Sequence, residues 1–191
     1  MKKCENNIKL IIKNKITNLE YKFYGCSCLK NIDGLKYLDT KDVNNFECIF
    51  SGCSSLPDIS GLKNWNVSNA NYFEYMFKGC SSLSDINGLI NWNVCNGKDF
   101  GGMFCGCSSL LNINGLVNWS VSKVEDFTCI FTGCSSLSNI NELKNWNVSN
   151  AKDITSMLYK CSSLPDINGL KIGVFVMGKI FIICSMDPHH H

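Results

Sequence analysis

What the chain lacks narrows its chemistry first. There is no arginine, and all 18 basic side chains are lysines. The three histidines are His189, His190 and His191, at the very end. No Cys–His or Ser–His couple can therefore be assembled from the body of the chain. Charged residues make up only 18%, and the net charge is +2. With no basic patch, the electrostatic footprint of a nucleic-acid binder is missing. No glycine-rich phosphate loop is present. A membrane span needs about 20 continuous apolar residues, and the most apolar stretch, residues 172–183, is shorter and interrupted by Lys179. The opening MKKCENNIKLIIKNKI is broken by Lys9, Lys13 and Lys15. It offers no apolar core of an export signal, so the sequence as written reads as intracellular with its compartment open. These absences predict a chain that is not an enzyme and carries no cofactor.

What the chain has is a clock. Cys26, Cys53, Cys80, Cys107, Cys134 and Cys161 recur every 27 residues without a slip. Trp65, Trp92, Trp119 and Trp146 keep the same period, as do Leu29, Leu56, Leu83, Leu110, Leu137 and Leu164. Self-similarity at a fixed period is the mark of a solenoid, in which no unit buries its apolar face alone and stacking supplies the core.

Within a unit, Phe73, Met76, Phe77 and Cys80 stand at i, i+3, i+4 and i+7, which predicts a short helix. Leu83 to Ile86 predicts a short strand. The pairs Asn87-Gly88 and Asn114-Gly115 predict a turn through their tolerance of positive φ. Asn141-Glu142 breaks that rule, so its corner is expected to differ. The expected fold class is α/β, in about six coils over residues 17–171, after an N-terminal segment at 1–16 and before an aberrant tail at 172–191.

The string W-N-V-S-N-A-x-x-F-x-x-M-F-x-G-C-S-S-L resembles the BspA-like leucine-rich-type repeat of bacterial surface proteins and mycoplasma lipoproteins. The resemblance covers about residues 17–171. It implies a leucine-rich-repeat-like solenoid, often displayed at the cell surface, with adhesion or host-protein binding. Here Asn stands where the family carries Asp after the tryptophan, and the family's lipoprotein anchor is not seen.

Thirteen cysteines raise the question of metal or disulfides. The six in-register cysteines read as a ladder of small buried thiols, and Cys26-x-Cys28 and Cys105-x-Cys107 lack zinc spacing. Variation between coils marks a candidate protein-binding surface at Asp58, Asp85, Asn112, Asn139, Asp166, Tyr75 and Tyr159, for a partner of unknown identity.

The repeat stops after Lys171. Back-translated with AT-rich codons and read one base out of frame, the tail gives NWSVCNGKDFHYMFNG, with its tryptophan one period after Trp146. This predicts a frameshifted repeat. Two functions follow: an interaction scaffold, or a truncated, pseudogene-like fragment of a longer repeat protein with no selected partner.

Overall fold

The structure is a computed structural model that describes residues 15–165. The frameshifted reading of the tail, most of the N-terminal segment and Asp166 lie outside the described residues.

Successive units stack in parallel, one period apart. Asn18, Asn45, Tyr72, Asp99, Asp126 and Asp153 form one column of parallel bridges, while Asp58–Asp85 and Asn112–Asn139 belong to a second. Every bridge is isolated, and the regular elements among the described residues are all short 3-10 helices: Asp33–Tyr37, Ser60–Leu62, Asn87–Leu89, Asn114–Leu116 and Asn141–Asn145. The repeat architecture thus stands without the helix and strand expected inside each coil.

The reason lies in where the backbone donors go. In the segment read as helical, Phe73, Tyr75, Phe77 and Gly79 donate their N–H groups to Asp99, Gly101, Met103 and Cys105 of the next coil, at 2.7–3.0 Å. The alternate donors of Met76, Lys78 and Cys80 close turns onto Phe73, Tyr75 and Phe77 at 3.1–3.2 Å. An α-helix would direct every donor four residues back. Positive φ at Tyr75 (+53°) and Gly79 (+71°) breaks such a run, and both values recur one period away at Cys48 and Gly52. A non-glycine residue in that region costs of order 1–3 kcal/mol. Four bonds per unit to the neighbouring coil, each worth a net of about 0.5–1.5 kcal/mol, offset it. Turns closed every two or three residues put the same side chains inward as a helical stripe would, which is why the spacing misleads.

Packing sets like on like. Phe50 stacks on Phe77 at 5.7 Å between ring centroids, Phe77 on Phe104 at 5.6 Å, and Trp65 on Trp92 at 6.3 Å. Phe73, Met76, Phe77, Cys80, Leu83 and Leu89 are all fully buried. Asx turns recur at three positions of the coil. Asp99 accepts from the Gly101 N–H, Asp85 from the Asn87 N–H and Asn93 from the Cys95 N–H, each two residues on.

The Asn-Gly corner does not use positive φ. Asn87 and Gly88 are absent from the residues with that backbone. Glycine is required there by close approach, since a Cβ at Gly61, Gly88 or Gly115 would lie 2.1–2.3 Å from the carbonyl oxygen of Ile32, Ile59 or Ile86. Glu142 occupies this seat in the fifth coil and cannot enter it. The 3-10 helix there runs five residues instead of three, ending in an extended Trp146. The first coil, whose Gly34 has nothing within 4 Å, shows the same five-residue form. The tryptophans register the consequence. Trp65, Trp92 and Trp119 donate Nε1–H to the carbonyls of Leu35, Leu62 and Leu89 at 2.9–3.2 Å, whereas Trp146 Nε1 and Glu142 Oε2 are buried without a partner.

Candidate functional site

The in-register cysteines line the interior. Cys53, Cys80, Cys107 and Cys134 each donate Sγ–H to a phenylalanine carbonyl of the preceding coil at 3.2 Å, and Cys161 does so to Phe131 at 3.1 Å. Cys26 heads the column, half-buried. Burial pushes the Cys53 thiol up to about 12 and raises Cys80, Cys107 and Cys134 well above the ordinary thiol range. A thiol so held is a poor nucleophile and metal ligand, because both roles need the thiolate. Among the described residues, no group of three or more His, Cys, Asp or Glu side chains could hold a metal ion. Cys28 is disulfide-bonded.

The candidate binding residues separate into two sets. Asp58, Asp85, Asn112 and Asn139 are corner residues whose Oδ1 atoms accept the N–H of Ser60, Asn87, Asn114 and Asn141. Their residue type is explained by the turn they make. Tyr75 and Tyr159 lie elsewhere, on the side built from the consecutive turns. The Tyr75 ring lies over Gly102, where a Cβ would come within 2.3 Å of it. Lys78 sits 4.5 Å from the Tyr75 ring centroid, and Lys160 sits 5.3 Å from that of Tyr159.

Three more tyrosines, which variation between coils does not single out, lie on this side. Tyr21, Tyr24 and Tyr72 are 48%, 59% and 46% exposed. The signal was present in the register: Tyr21 precedes Tyr75 by two periods, and Tyr24 precedes Tyr159 by five. Of the six tyrosines, only Tyr37 lies off this segment. Tyr21 and Tyr24 meet edge to face at 5.5 Å, and Tyr21 donates its hydroxyl to Glu47 at 3.1 Å.

Carboxylates run through the same side. Burial, then Asp99 and Glu47, holds the Glu74 carboxyl above its ordinary range. Asp99 is raised by burial and by Asp126, although the Gly101 N–H pulls the other way. The ion pairs among the described residues join Lys15 to Asp42, Lys41 to Asp39 and Lys152 to Glu125. None of them neutralises Glu47, Glu74, Asp99 or Asp126.

These features define a class: a stacked-coil repeat protein, held by carbonyl-to-amide columns and a buried thiol column, with one aromatic side. The chain belongs to the family described as "Mycoplasma protein of unknown function, DUF285", which matches residues 1–110 and 85–176. Among solved structures, the chain is similar to a leucine-rich repeat protein of T. pallidum, at 17% identity and a TM-score of 0.40, over 82% of this chain and 75% of that one. No curated protein matches. No helix among the described residues is long and apolar enough to cross a membrane.

Proposed function

We propose that this chain is a non-enzymatic scaffold that binds another protein along its tyrosine-bearing side. One observation carries the reading: Tyr21, Tyr24 and Tyr72 are exposed on the same side that holds Tyr75 and Tyr159. Tyrosine is enriched where protein interfaces concentrate their energy, because it offers a large rigid ring at small entropic cost. Elsewhere the coil surface carries Ser, Asn and Asp side chains occupied in corner turns, together with exposed Tyr37, Leu111 and Val117. Extended solenoid sides suit protein partners, and the adhesion role implied by the BspA-like resemblance would use this side. The corner residues Asp58, Asp85, Asn112 and Asn139 are not part of the proposed surface.

Site-specific photocrosslinking tests this. A benzoylphenylalanine placed at Tyr24 or Tyr72 is expected to give a discrete protein adduct in cells, and one placed at Lys63 or Val117 is not. Equal adducts from all four positions, or none from any, would refute it.

A further inference from the structure

We infer that the tyrosine-bearing side takes an extended, lysine- or arginine-rich segment of a partner protein, laid along the stack of coils. This rests on the scaffold reading and goes on to name the chemistry of the partner.

Charge selects the occupant. Each of the six coils contributes one carboxylate to this side: Glu20, Glu47 and Glu74, then Asp99, Asp126 and Asp153, whose Oδ1 atoms also take the N–H of Gly101, Thr128 and Thr155. The column shifts between coils three and four, from the position of Glu74 to that of Asp99, and Gly101 stands where the fourth carboxylate would otherwise fall. A Cβ on Gly101 would lie 3.2 Å from Asp99 Oδ1, 3.6 Å from Asp126 Oδ1 and 3.6 Å from Glu74 Cγ. Carboxylates therefore converge there on bare backbone. Burial raises the two most crowded of them, Glu74 and Asp99, above the ordinary carboxyl range, with Asp99 adding to the shift at Glu74 and Asp126 to that at Asp99. None of the ion pairs among the described residues involves the stripe. Lys78 draws the Glu74 carboxyl the other way without bridging it, so a cationic partner meets a line of carboxylates that no ion pair has closed and relieves their mutual repulsion.

The spacing fits a strand-like segment. Coils stacked about 4.8 Å apart place six carboxylates over about 24 Å, the reach of some seven extended residues. The rings supply the second half of the recognition. A lysine or arginine head-group laid over a tyrosine face gains cation–π attraction, and the protein already makes this contact between Lys78 and Tyr75 and between Lys160 and Tyr159. Tyr24 and Tyr72, both exposed, have no such cation among the described residues.

The test uses the full chain and a fluorescein-labelled oligolysine of about ten residues, followed by anisotropy at low and physiological salt. The variant Glu47→Gln/Glu74→Gln/Asp126→Asn keeps size and the acceptor oxygens, including the one that takes the Thr128 N–H. It is expected to weaken binding at least about tenfold, while Asp33→Asn/Asp58→Asn/Asp85→Asn, which removes as much charge from another corner, changes it less than about twofold. Tyr24→Ala/Tyr72→Ala is expected to weaken it by about three- to tenfold. Equal losses from the two charge variants, or no oligolysine binding, would overturn the inference. A neutral peptide of the same length that binds as tightly, and is released by Tyr24→Ala/Tyr72→Ala, would also overturn it while leaving the scaffold reading standing.

Discussion

Replacing Glu142 with glycine should stabilise the protein, against the usual sign of such a change. Glycine in place of another residue inside a regular element ordinarily costs about 0.5–1 kcal/mol through chain entropy. Here it reopens the seat that Gly61, Gly88 and Gly115 use, in which the corner presses onto the isoleucine carbonyl of the coil before. The fifth corner can then close as the others do, and Trp146 Nε1 regains a carbonyl, that of Leu116 by the register of Trp119 on Leu89. Leaving a buried donor unpaired costs about 1–3 kcal/mol. Removing the buried, unpartnered Glu142 Oε2 acts in the same direction. Set against the entropic loss, the net gain is about 0.5–2 kcal/mol. Urea unfolding followed by tryptophan fluorescence measures it, combined in a cycle with Trp146→Phe. The phenylalanine should cost little beside Glu142 and about 1 kcal/mol more beside glycine, because only there does the indole N–H have a bond to lose. A destabilised Glu142→Gly protein, with no coupling to Trp146, would refute the account of the corner.

The reverse change, Gly88→Ala, places a methyl 2.2 Å from a backbone oxygen and should cost about 1–3 kcal/mol by chemical denaturation; an unchanged midpoint would contradict the close-approach argument. Cys107→Ser should be tolerated within about 1–2 kcal/mol because the hydroxyl can still donate to Phe77, whereas Cys107→Val, with no donor and more bulk, should cost more; thermal melts rank them. In native protein, Cys53, Cys80, Cys107 and Cys134 should resist a thiol reagent at pH 8 and react once unfolded, read by mass spectrometry after alkylation; rapid native labelling would count against their burial. Glu74 and Asp99 have folded-state values raised above the ordinary carboxyl range, so the folded chain binds these protons more tightly than the unfolded one. Stability should rise as pH falls from neutral toward about 4, and Asp99→Asn should flatten that slope. The opposite effect of Asp39, Glu125 and Asp153, whose values are lowered, sets in below that window.

The period, the stacking of identical side chains and the inward placement of Phe73, Met76, Phe77 and Leu83 could all be read from the residues alone, because a strict register leaves few ways to bury a face. The backbone inside the coil could not. Side chains at i, i+3, i+4 and i+7 face one way on a helix and equally on a chain of three- and four-residue turns. What separates the two is the left-handed backbone at Tyr75 and Cys48, residue types that give no warning of it. Glycine was flagged at the right corner for the wrong cause: Gly88 is small because Ile59 is near, a relation between coils that no local window contains. Glu142 was legible as an exception, and its effect on Trp146 was not, since that contact spans a whole period. The aromatic side was half seen, through Tyr75 and Tyr159, and comparison by register would have completed it.

The fit of Tyr75 over Gly102 bears on how the chain finds its own order. Interchangeable units invite mispairing, in which one loop is skipped and the next takes its place with hardly any loss of contacts. The ring of Tyr75 rests on a neighbour that has no side chain, whereas the positions equivalent to Gly102 elsewhere are filled by Tyr21, Cys48, Cys129 and Ser156, any of which would have to push the ring aside. A single aromatic thus favours one order of winding: with the fourth turn behind the third the ring lies undisturbed, and any other neighbour must displace it.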